Sequence, residues 1–180
     1  MKLKVLAGLL AVLCASLFSR AQSDWRQKVK DELPLMGHRN WIVIVDSAYP
    51  LQTSSGIETV ETDADELSVV DYVFNNLENS KHVRPIVHTD KELEFVSEKE
   101  SPGVGAYRAA VMKRIAGFPT DSLLHESLIG RLNEAGKAFH VLVLKTTMTI
   151  PYTSVFLQLD CKYWSAESEA KLREMMKHTQ

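Results

Sequence analysis

The strongest hydrophobic signal in the chain is an unbroken run of β-forming residues at 41–45, Trp-Ile-Val-Ile-Val. A run without polar alternation is typical of a strand buried on both faces, so we predict a central strand here. Shorter apolar patterns predict further strands at residues 57–62, 83–87, 139–144 and 153–159. Pro85 favours an edge position or a bulge for the strand that contains it, because proline cannot donate to a sheet ladder.

Apolar residues at helical spacing predict the remaining elements. A first helix carries Trp25, Val29 and Leu33, is capped by Ser23 or Asp24, and ends at Pro34. A second starts at Asp63 or Asp65 and continues through Leu77, and further helices are predicted at residues 104–116, 121–135 and 165–178. The acidic stretch 90–100 is expected at the surface. Without repeats or linkers, this order predicts one α/β domain, a mostly buried central sheet flanked by helices.

The first residues have the pattern of an export signal. Two lysines precede an apolar run over residues 5–18, and Ser19-Arg20-Ala21 offers small residues where a signal peptidase reads the chain. We therefore predict a signal peptide over residues 1–21 and a domain over residues 22–180, exported to the periplasm or secreted. The apolar run is shorter than the ~20 residues that cross a bilayer as a helix, so no stable membrane anchor is expected.

Charge and cysteine content narrow the partners. The chain has 21 Lys and Arg against 23 Asp and Glu, and removing residues 1–21, which hold three basic and no acidic residues, leaves about −5. Without a basic surplus to displace counterions, a nucleic acid is not an expected partner. Cys161 is the only cysteine after residue 21, so no intrachain disulfide can form in an oxidising compartment.

Candidate chemistry flanks the predicted central strand. The sequence has no glycine-rich nucleotide loop, no nucleophile elbow and no zinc-protease motif. Gly37-His38 precedes the strand and Asp46 follows it. A histidine exchanges protons near neutral pH, and a carboxylate can hold a substrate hydroxyl. The alternative is that Asp46 only closes the next loop as an Asx turn and that His38 is a solvated turn residue.

Two segments resemble a known family. Leu35-Met36-Gly37-His38, the strand, and the following Asp46-Ser47-Ala48-Tyr49-Pro50 resemble the N-terminal signature of the D-ribose pyranase / L-fucose mutarotase (RbsD/FucU) family. Near the C-terminus, Pro151-Tyr152-Thr153-Ser154 and the next strand resemble that family's Pro-Tyr-x-Asn-x-x-Leu. The resemblance implies a compact α/β protein that forms ring-like oligomers. It also implies an activity, the interconversion of anomers or ring forms of a free monosaccharide without a cofactor or metal.

The resemblance also implies roles for single residues. His38 would be the catalytic proton donor, and Asp46 and Tyr152 would bind the sugar. Ser154 would stand where the family has asparagine. His125 would match a second sugar-binding histidine, and the alternative is a solvated histidine on the predicted helix. The five-residue strand spans roughly 16 Å, so His38 and Asp46 cannot meet along it. Either the turn at Gly37 folds His38 back, or a neighbouring subunit completes the site, and we therefore predict a closed homo-oligomer.

Several departures from the family pattern leave two alternatives. Thr147-Met148 replaces a Gly-Glu, Ser154 replaces the asparagine, and the chain continues beyond the last strand into a further helix. The first alternative is a catalytically inactive carbohydrate-binding or transport-accessory protein of the same fold. The second is an interaction domain without a sugar site, which a failure of His38, Asp46 and Tyr152 to converge would favour.

Overall fold

The computed structural model describes residues 24–177, and the predicted signal peptide lies outside them. The six strands are β1 (Trp41–Val45), β2 (Ile57–Glu61), β3 (Val83–Asp90), β4 (Thr120–Leu123), β5 (Val141–Lys145) and β6 (Val155–Cys161). The helices are α1 (Trp25–Glu32), α2 (Glu66–Asn79), α3 (Val104–Ile115), α4 (His125–Ala135) and α5 (Ala166–Lys177). Short 3₁₀ helices cover Leu33–Leu35 and Lys91–Phe95. No helix in this described range is both long and apolar enough to cross a membrane.

All six strands form one sheet in the order β2-β5-β1-β6-β3-β4. β1 and β2 run parallel to β5, and β3 runs parallel to β4. β6 runs antiparallel to both β1 and β3, so β1 and β3 share a direction across it. Five strands therefore point the same way, and their carboxyl ends lie along one edge of the sheet.

The unbroken apolar run of β1 is explained by layers on both faces of the sheet. Ile42 and Ile44 belong to a core with the three helices α1, α2 and α3, whereas Val43 packs with Leu128 and Leu132 of α4. Successive strand residues point to opposite faces, so a strand covered on both sides needs apolar residues at every position. The predicted central strand and the predicted α/β fold are confirmed.

Two predictions about the middle of the chain are wrong. The helix predicted over residues 121–135 starts at His125, and the preceding segment is the edge strand β4. β4 pairs on one side only and buries little, so its four residues carry no apolar alternation. Asp90, predicted at the surface, is 1% exposed and ends β3. β3, for which Pro85 favoured an edge position, is not the edge strand, because β4 pairs with it from Val87 onward. At Pro85, which precedes that pairing, β3 has a neighbouring strand on one side alone.

Candidate functional site

The topology gathers polar residues from four segments at one edge of the sheet. Asp46 follows the carboxyl end of β1, Asp90 is the last residue of β3, and His125 opens α4 directly after β4. β6 runs in the opposite direction, so Tyr152, shortly before its amino end, comes to the same edge. Ligands of open α/β sheets bind at the carboxyl ends of strands, and this is the equivalent position.

A cavity of about 400 Å³ opens at this edge. Its wall is formed by the loop 46–50 after β1, by His125, and by Thr149, Pro151 and Tyr152 before β6. Cavities of roughly 300–1,000 Å³ are typical of small-molecule sites. Of the residues predicted from the sequence, the structure thus brings together Asp46, His125 and Tyr152.

Asp46 shapes the loop that forms one side of the cavity. Its Oδ1 accepts a hydrogen bond of 2.7 Å from the backbone N–H of Ala48, which is the Asx turn considered from the sequence. The backbone N–H of Ser47 donates to the carbonyl of Met148 at 2.8 Å and ties this loop to the segment before β6. A carboxylate has two acceptor oxygens, so the turn leaves Asp46 capacity for a ligand hydroxyl.

His125 is held by a buried carboxylate. Its Nδ1 lies 3.1 Å from Oδ1 of Asp90, and its backbone N–H donates to the carboxylate of Glu92 at 3.1 Å. The hydrogen bond with Asp90 raises the pKa of the His125 imidazole, and burial raises the pKa of Asp90. With Nδ1 on Asp90, Nε2 is the ring nitrogen available to a ligand. The sequence offered no signal for Asp90, because it lies in a stretch of acidic residues.

Tyr152 presents its ring from a strained backbone. Its φ of 61° lies in the left-handed region, which costs a non-glycine residue roughly 1 kcal/mol. The residue remains 40% exposed, and the centroid of its ring lies 5.8 Å from that of the His125 ring in an edge-to-face arrangement. Strained backbone is concentrated at functional sites, where the surrounding structure enforces it.

A fully buried carboxyl group lies behind Tyr152. Glu66, in the first turn of α2, is 0% exposed and accepts a hydrogen bond of 2.9 Å from Oγ1 of Thr153. The Tyr107 hydroxyl lies 3.0 Å from the other Glu66 oxygen and 2.7 Å from the carbonyl of Thr153. One phenol proton cannot serve both acceptors, whereas a protonated Glu66 supplies the second proton. Burial raises the pKa of Glu66 to about 8, in agreement with that protonation.

Ser154 follows Tyr152 by two residues and is not one of the residues that line the cavity. It is 1% exposed, and its Oγ has no hydrogen-bond partner among the described residues. Val155 pairs with Thr89, so the antiparallel register sets Ser154 opposite Asp90, whose Oδ2 also has no partner in the described range. Cross-strand neighbours share a face of the sheet. The register therefore makes buried Ser154 a cross-strand neighbour of Asp90, the residue that holds His125.

His38 lies at the opposite end of β1 from Asp46. It is exposed and lines a separate cavity of about 550 Å³ together with Arg84, Asp160 and Trp164. The turn closes locally, because Oδ1 of Asn40 accepts a hydrogen bond from the backbone N–H of Gly37 at 2.7 Å. The predicted proton donor therefore does not reach the Asp46 cavity of its own chain, which corrects the assignment within one subunit. His38 could therefore meet an Asp46 cavity only in a neighbouring subunit.

One cluster elsewhere has the composition of a metal site. Glu32, Glu58 and His140 offer ligand atoms within 4.8 Å of one another. The ammonium group of Lys28 lies 2.6 Å from Glu32 and 2.7 Å from Glu58, between the two carboxylates. This side chain already supplies the positive charge that the carboxylates need, so the cluster is a salt-bridge network of α1 and β2.

Comparison with solved structures identifies the fold. The structure of Bacillus subtilis RbsD complexed with D-ribose matches with a TM-score of 0.53 and 16% identity, over 74% of this chain and 91% of that one. A fucose mutarotase from Streptococcus pneumoniae in complex with L-fucose matches with a TM-score of 0.54 and 17% identity, over 79% and 98%. FucU from Bifidobacterium longum matches with a TM-score of 0.52 and 16% identity, over 74% and 92%.

Sequence comparison adds no relative to these structures. No protein-family model and no curated protein matches the chain. The three structural matches each cover most of the partner's length, although identity is 16–17%. The chain therefore has the RbsD/FucU fold, as the two sequence segments predicted.

Proposed function

We propose that the cavity of Asp46, His125 and Tyr152 binds a free monosaccharide and interconverts its anomers or ring forms. The observation that carries this proposal is the meeting of a carboxylate, a histidine on a buried carboxylate and an exposed aromatic ring around one cavity of suitable size. Solved structures with this fold include complexes with D-ribose and with L-fucose, which supports a sugar ligand.

The proposed reaction needs only proton transfer. The imidazolium of His125 protonates the ring oxygen through Nε2 while the Asp46 carboxylate takes the proton of the anomeric hydroxyl. The bond between the anomeric carbon and the ring oxygen breaks and leaves an open-chain carbonyl. Rotation about the next carbon–carbon bond and reversal of both transfers close the other anomer. General acid–base catalysis of this kind contributes ~10²–10⁴-fold.

His125 takes the role that the resemblance assigned to His38. Within one chain His125 lines the cavity and His38 does not. Asp90 acts as a positioning residue, because its hydrogen bond fixes the imidazole ring and raises the pKa of His125. A raised pKa increases the protonated fraction near neutral pH, and a proton donor needs that form.

The remaining sugar contact comes from Tyr152. Its exposed ring can stack on the C–H face of a pyranose or furanose, an apolar contact that needs no specific hydroxyl pattern. The sugar contact predicted for Ser154 is not part of this proposal, because that hydroxyl is buried outside the cavity wall.

A binding protein without catalysis is the second candidate. Thr147 and Met148 stand where the family has Gly-Glu, and in this chain they hold structure. The Thr147 hydroxyl donates to the carbonyl of Ala64 at 3.1 Å, and Met148 packs against the core. Neither brings an ionisable group to the cavity, so proton transfer rests on Asp46 and His125 alone.

Exchange NMR separates these functions. We expect the exported chain to accelerate anomer exchange of at least one aldose from a panel that includes D-ribose and L-fucose. Asp46→Asn should lose most of that exchange, whereas Asp160→Asn, at the opposite end of the sheet, should keep it. Line broadening of a sugar without accelerated anomer exchange would show that the chain binds the sugar but does not catalyse its interconversion. A panel with neither effect would contradict a sugar site.

Export and assembly are proposals from the sequence. We expect the chain to be cleaved after Ala21 and to form a closed homo-oligomer. N-terminal sequencing of the exported protein tests the cleavage, and light scattering tests the assembly. A monomeric mass would contradict the expected oligomer, and full sugar exchange by that monomer would show that Asp46, His125 and Tyr152 of one chain suffice for the reaction.

A further inference from the structure

A second cavity adjoins the proposed sugar site. It has a volume of about 550 Å³ and is walled by the apolar side chains Phe95, Val96, Pro151 and Tyr152, with Glu92, Glu100 and Ser101 completing it. Pro151 and Tyr152 also line the first cavity. The two spaces are therefore neighbours on either side of the Tyr152 segment.

Phe95 gives this cavity an aromatic surface that the fold does not bury. The residue is 75% exposed, although burial of a phenylalanine side chain is worth about 1.5–3 kcal/mol. Together with the 40% exposed ring of Tyr152 it forms two aromatic surfaces at one opening. Exposed apolar residues clustered at a cavity are typical of a binding surface.

The backbone around Phe95 is held in place before any ligand binds. The Nη2 group of Arg108, on α3, donates to the carbonyl of Leu93 at 2.7 Å and to the carbonyl of Val96 at 2.9 Å. These two acceptors lie on either side of Phe95 in the chain. These hydrogen bonds hold the backbone that carries Phe95, and such preorganisation lowers the entropic cost of binding.

The polar groups of the cavity suit hydroxyl donors. The Glu92 carboxylate accepts a hydrogen bond from the backbone N–H of His125, and the Glu100 carboxylate accepts one of 2.9 Å from the Ser97 hydroxyl. Each carboxylate has about four acceptor positions, so both keep capacity for further donors. An aromatic surface beside carboxylates fits a sugar ring, which offers C–H groups on its face and hydroxyl groups around its edge.

We propose that this second cavity binds the non-reducing ring of a short reducing glycan whose reducing ring occupies the Asp46, His125 and Tyr152 cavity. The proposal rests on the proposed function, because that function identifies the first cavity as the place of the reducing ring. Anomer exchange requires a free anomeric carbon, so the second ring must be joined through another carbon of the first. The ligand class is therefore a reducing disaccharide, and glycosides blocked at the reducing end are excluded as substrates.

The test compares disaccharides with their own reducing monosaccharide. Calorimetry and exchange NMR on the full exported chain compare maltose, cellobiose and lactose with glucose, which is their reducing ring. Disaccharides whose reducing ring is another aldose are compared with that aldose in the same way. We expect at least one disaccharide to bind about tenfold more tightly than its monosaccharide. Phe95→Ala should reduce that preference to less than twofold and leave monosaccharide affinity within twofold. Leu35→Ala removes a residue that is 85% exposed at another cavity and should change neither.

Other outcomes would overturn the proposal. Equal affinity for disaccharides and monosaccharides in the wild type, or an unchanged preference in Phe95→Ala, would show that the second cavity holds no sugar ring. A lower oligomeric mass of Phe95→Ala, without any disaccharide preference in the wild type, would assign the cavity to a second copy of the chain. If no sugar binds at all, the proposed function itself fails, and this result is distinct from monosaccharide binding without a disaccharide preference.

Discussion

The two ends of strand β1 differ in how deeply the ionisable side chains around them are buried. At the Asp46 end, the carboxyl groups of Asp90 and Glu66 are 1% and 0% exposed. At the His38 end, charged side chains are exposed or half-buried and form ordinary ion pairs. Arg84 lies 2.8 Å from Asp160, and Arg173 lies 2.7 Å from Glu169. Surface ion pairs of this kind contribute little free energy, whereas a buried carboxyl group is costly.

The difference follows from strand direction. Five strands end at the Asp46 edge, and α2 and α4 begin there, so two helices bring the side chains of their first turns to that edge. Glu66 and His125 are both first-turn residues. Buried ionisable groups with shifted pKa values gather at functional sites. The comparison therefore favours the Asp46 edge as the place of the chemistry, although the sequence resemblance put the proton donor at the other edge.

The largest expected effect concerns Glu66. Its pKa of about 8 in the folded chain lies above the ordinary 4.5, so the folded state binds the proton more tightly than the unfolded state. The free energy of unfolding that the protonated Glu66 contributes is fully present below about pH 4.5 and is lost as the pH rises through about 8. We expect the wild type to lose a few kcal/mol more than Glu66→Gln between pH 5 and pH 8 in urea unfolding. Parallel pH profiles for the two proteins would contradict a protonated Glu66.

His125→Gln is expected to reduce anomer exchange by about 100-fold or more, because glutamine cannot donate a proton to the ring oxygen. Exchange NMR at a saturating sugar concentration measures this loss. His140→Gln is the matched control, since His140 is a half-buried histidine whose Nε2 lies 3.1 Å from Glu32, far from the proposed chemistry. Exchange within threefold of the wild type in His125→Gln would remove His125 from the reaction.

Asp90→Asn should lower exchange about tenfold and shift its pH dependence. Without the carboxylate, the pKa of His125 falls, so the protonated form is lost at a lower pH. The pH profile of exchange and the NMR titration of the His125 ring should move together toward acid. A lower rate with an unchanged His125 titration would mean that Asp90 serves only the packing of β3.

His38→Gln is expected to have the smallest effect, a change in exchange of less than threefold, because the exposed His38 does not line the Asp46 cavity. The measurement is combined with light scattering. A loss as large as that of His125→Gln, in a protein with an oligomeric mass, would mean that a neighbouring subunit brings His38 to the site. The role implied by the resemblance would then be restored.

The sequence was sufficient for the elements whose burial leaves a pattern. β1 is apolar at every position because both of its faces are covered, and the pattern predicted this correctly. β4 was not predictable, because an edge strand with exposed Thr120, Asp121 and Ser122 has no apolar signal of its own. The resemblance supplied the fold through two short segments, and the structural matches confirm it.

The site was predictable only through the resemblance. Asp46 and Tyr152 lie in the two segments that carry it, whereas His125 lies outside them and was predicted only as a match to a second sugar-binding histidine. Asp90 and Glu66 were missed because an acidic residue in a polar stretch resembles a solvated one, and only tertiary packing buries it. The distance from His38 to Asp46 was foreseen from strand length, yet the direction of the Gly37 turn depends on local hydrogen bonds such as that with Asn40.

The most direct test of the central claim is to map a bound sugar on the protein by NMR. The backbone amides of the ¹⁵N-labelled protein are followed while D-ribose, L-fucose or the tightest aldose of the panel is added. We predict the largest shifts at Ser47, Ala48, His125 and Tyr152, with little change at His38 and Arg39. Shifts concentrated at His38, Arg39 and Trp164 instead would contradict the account, because they would place the sugar at the opposite end of β1.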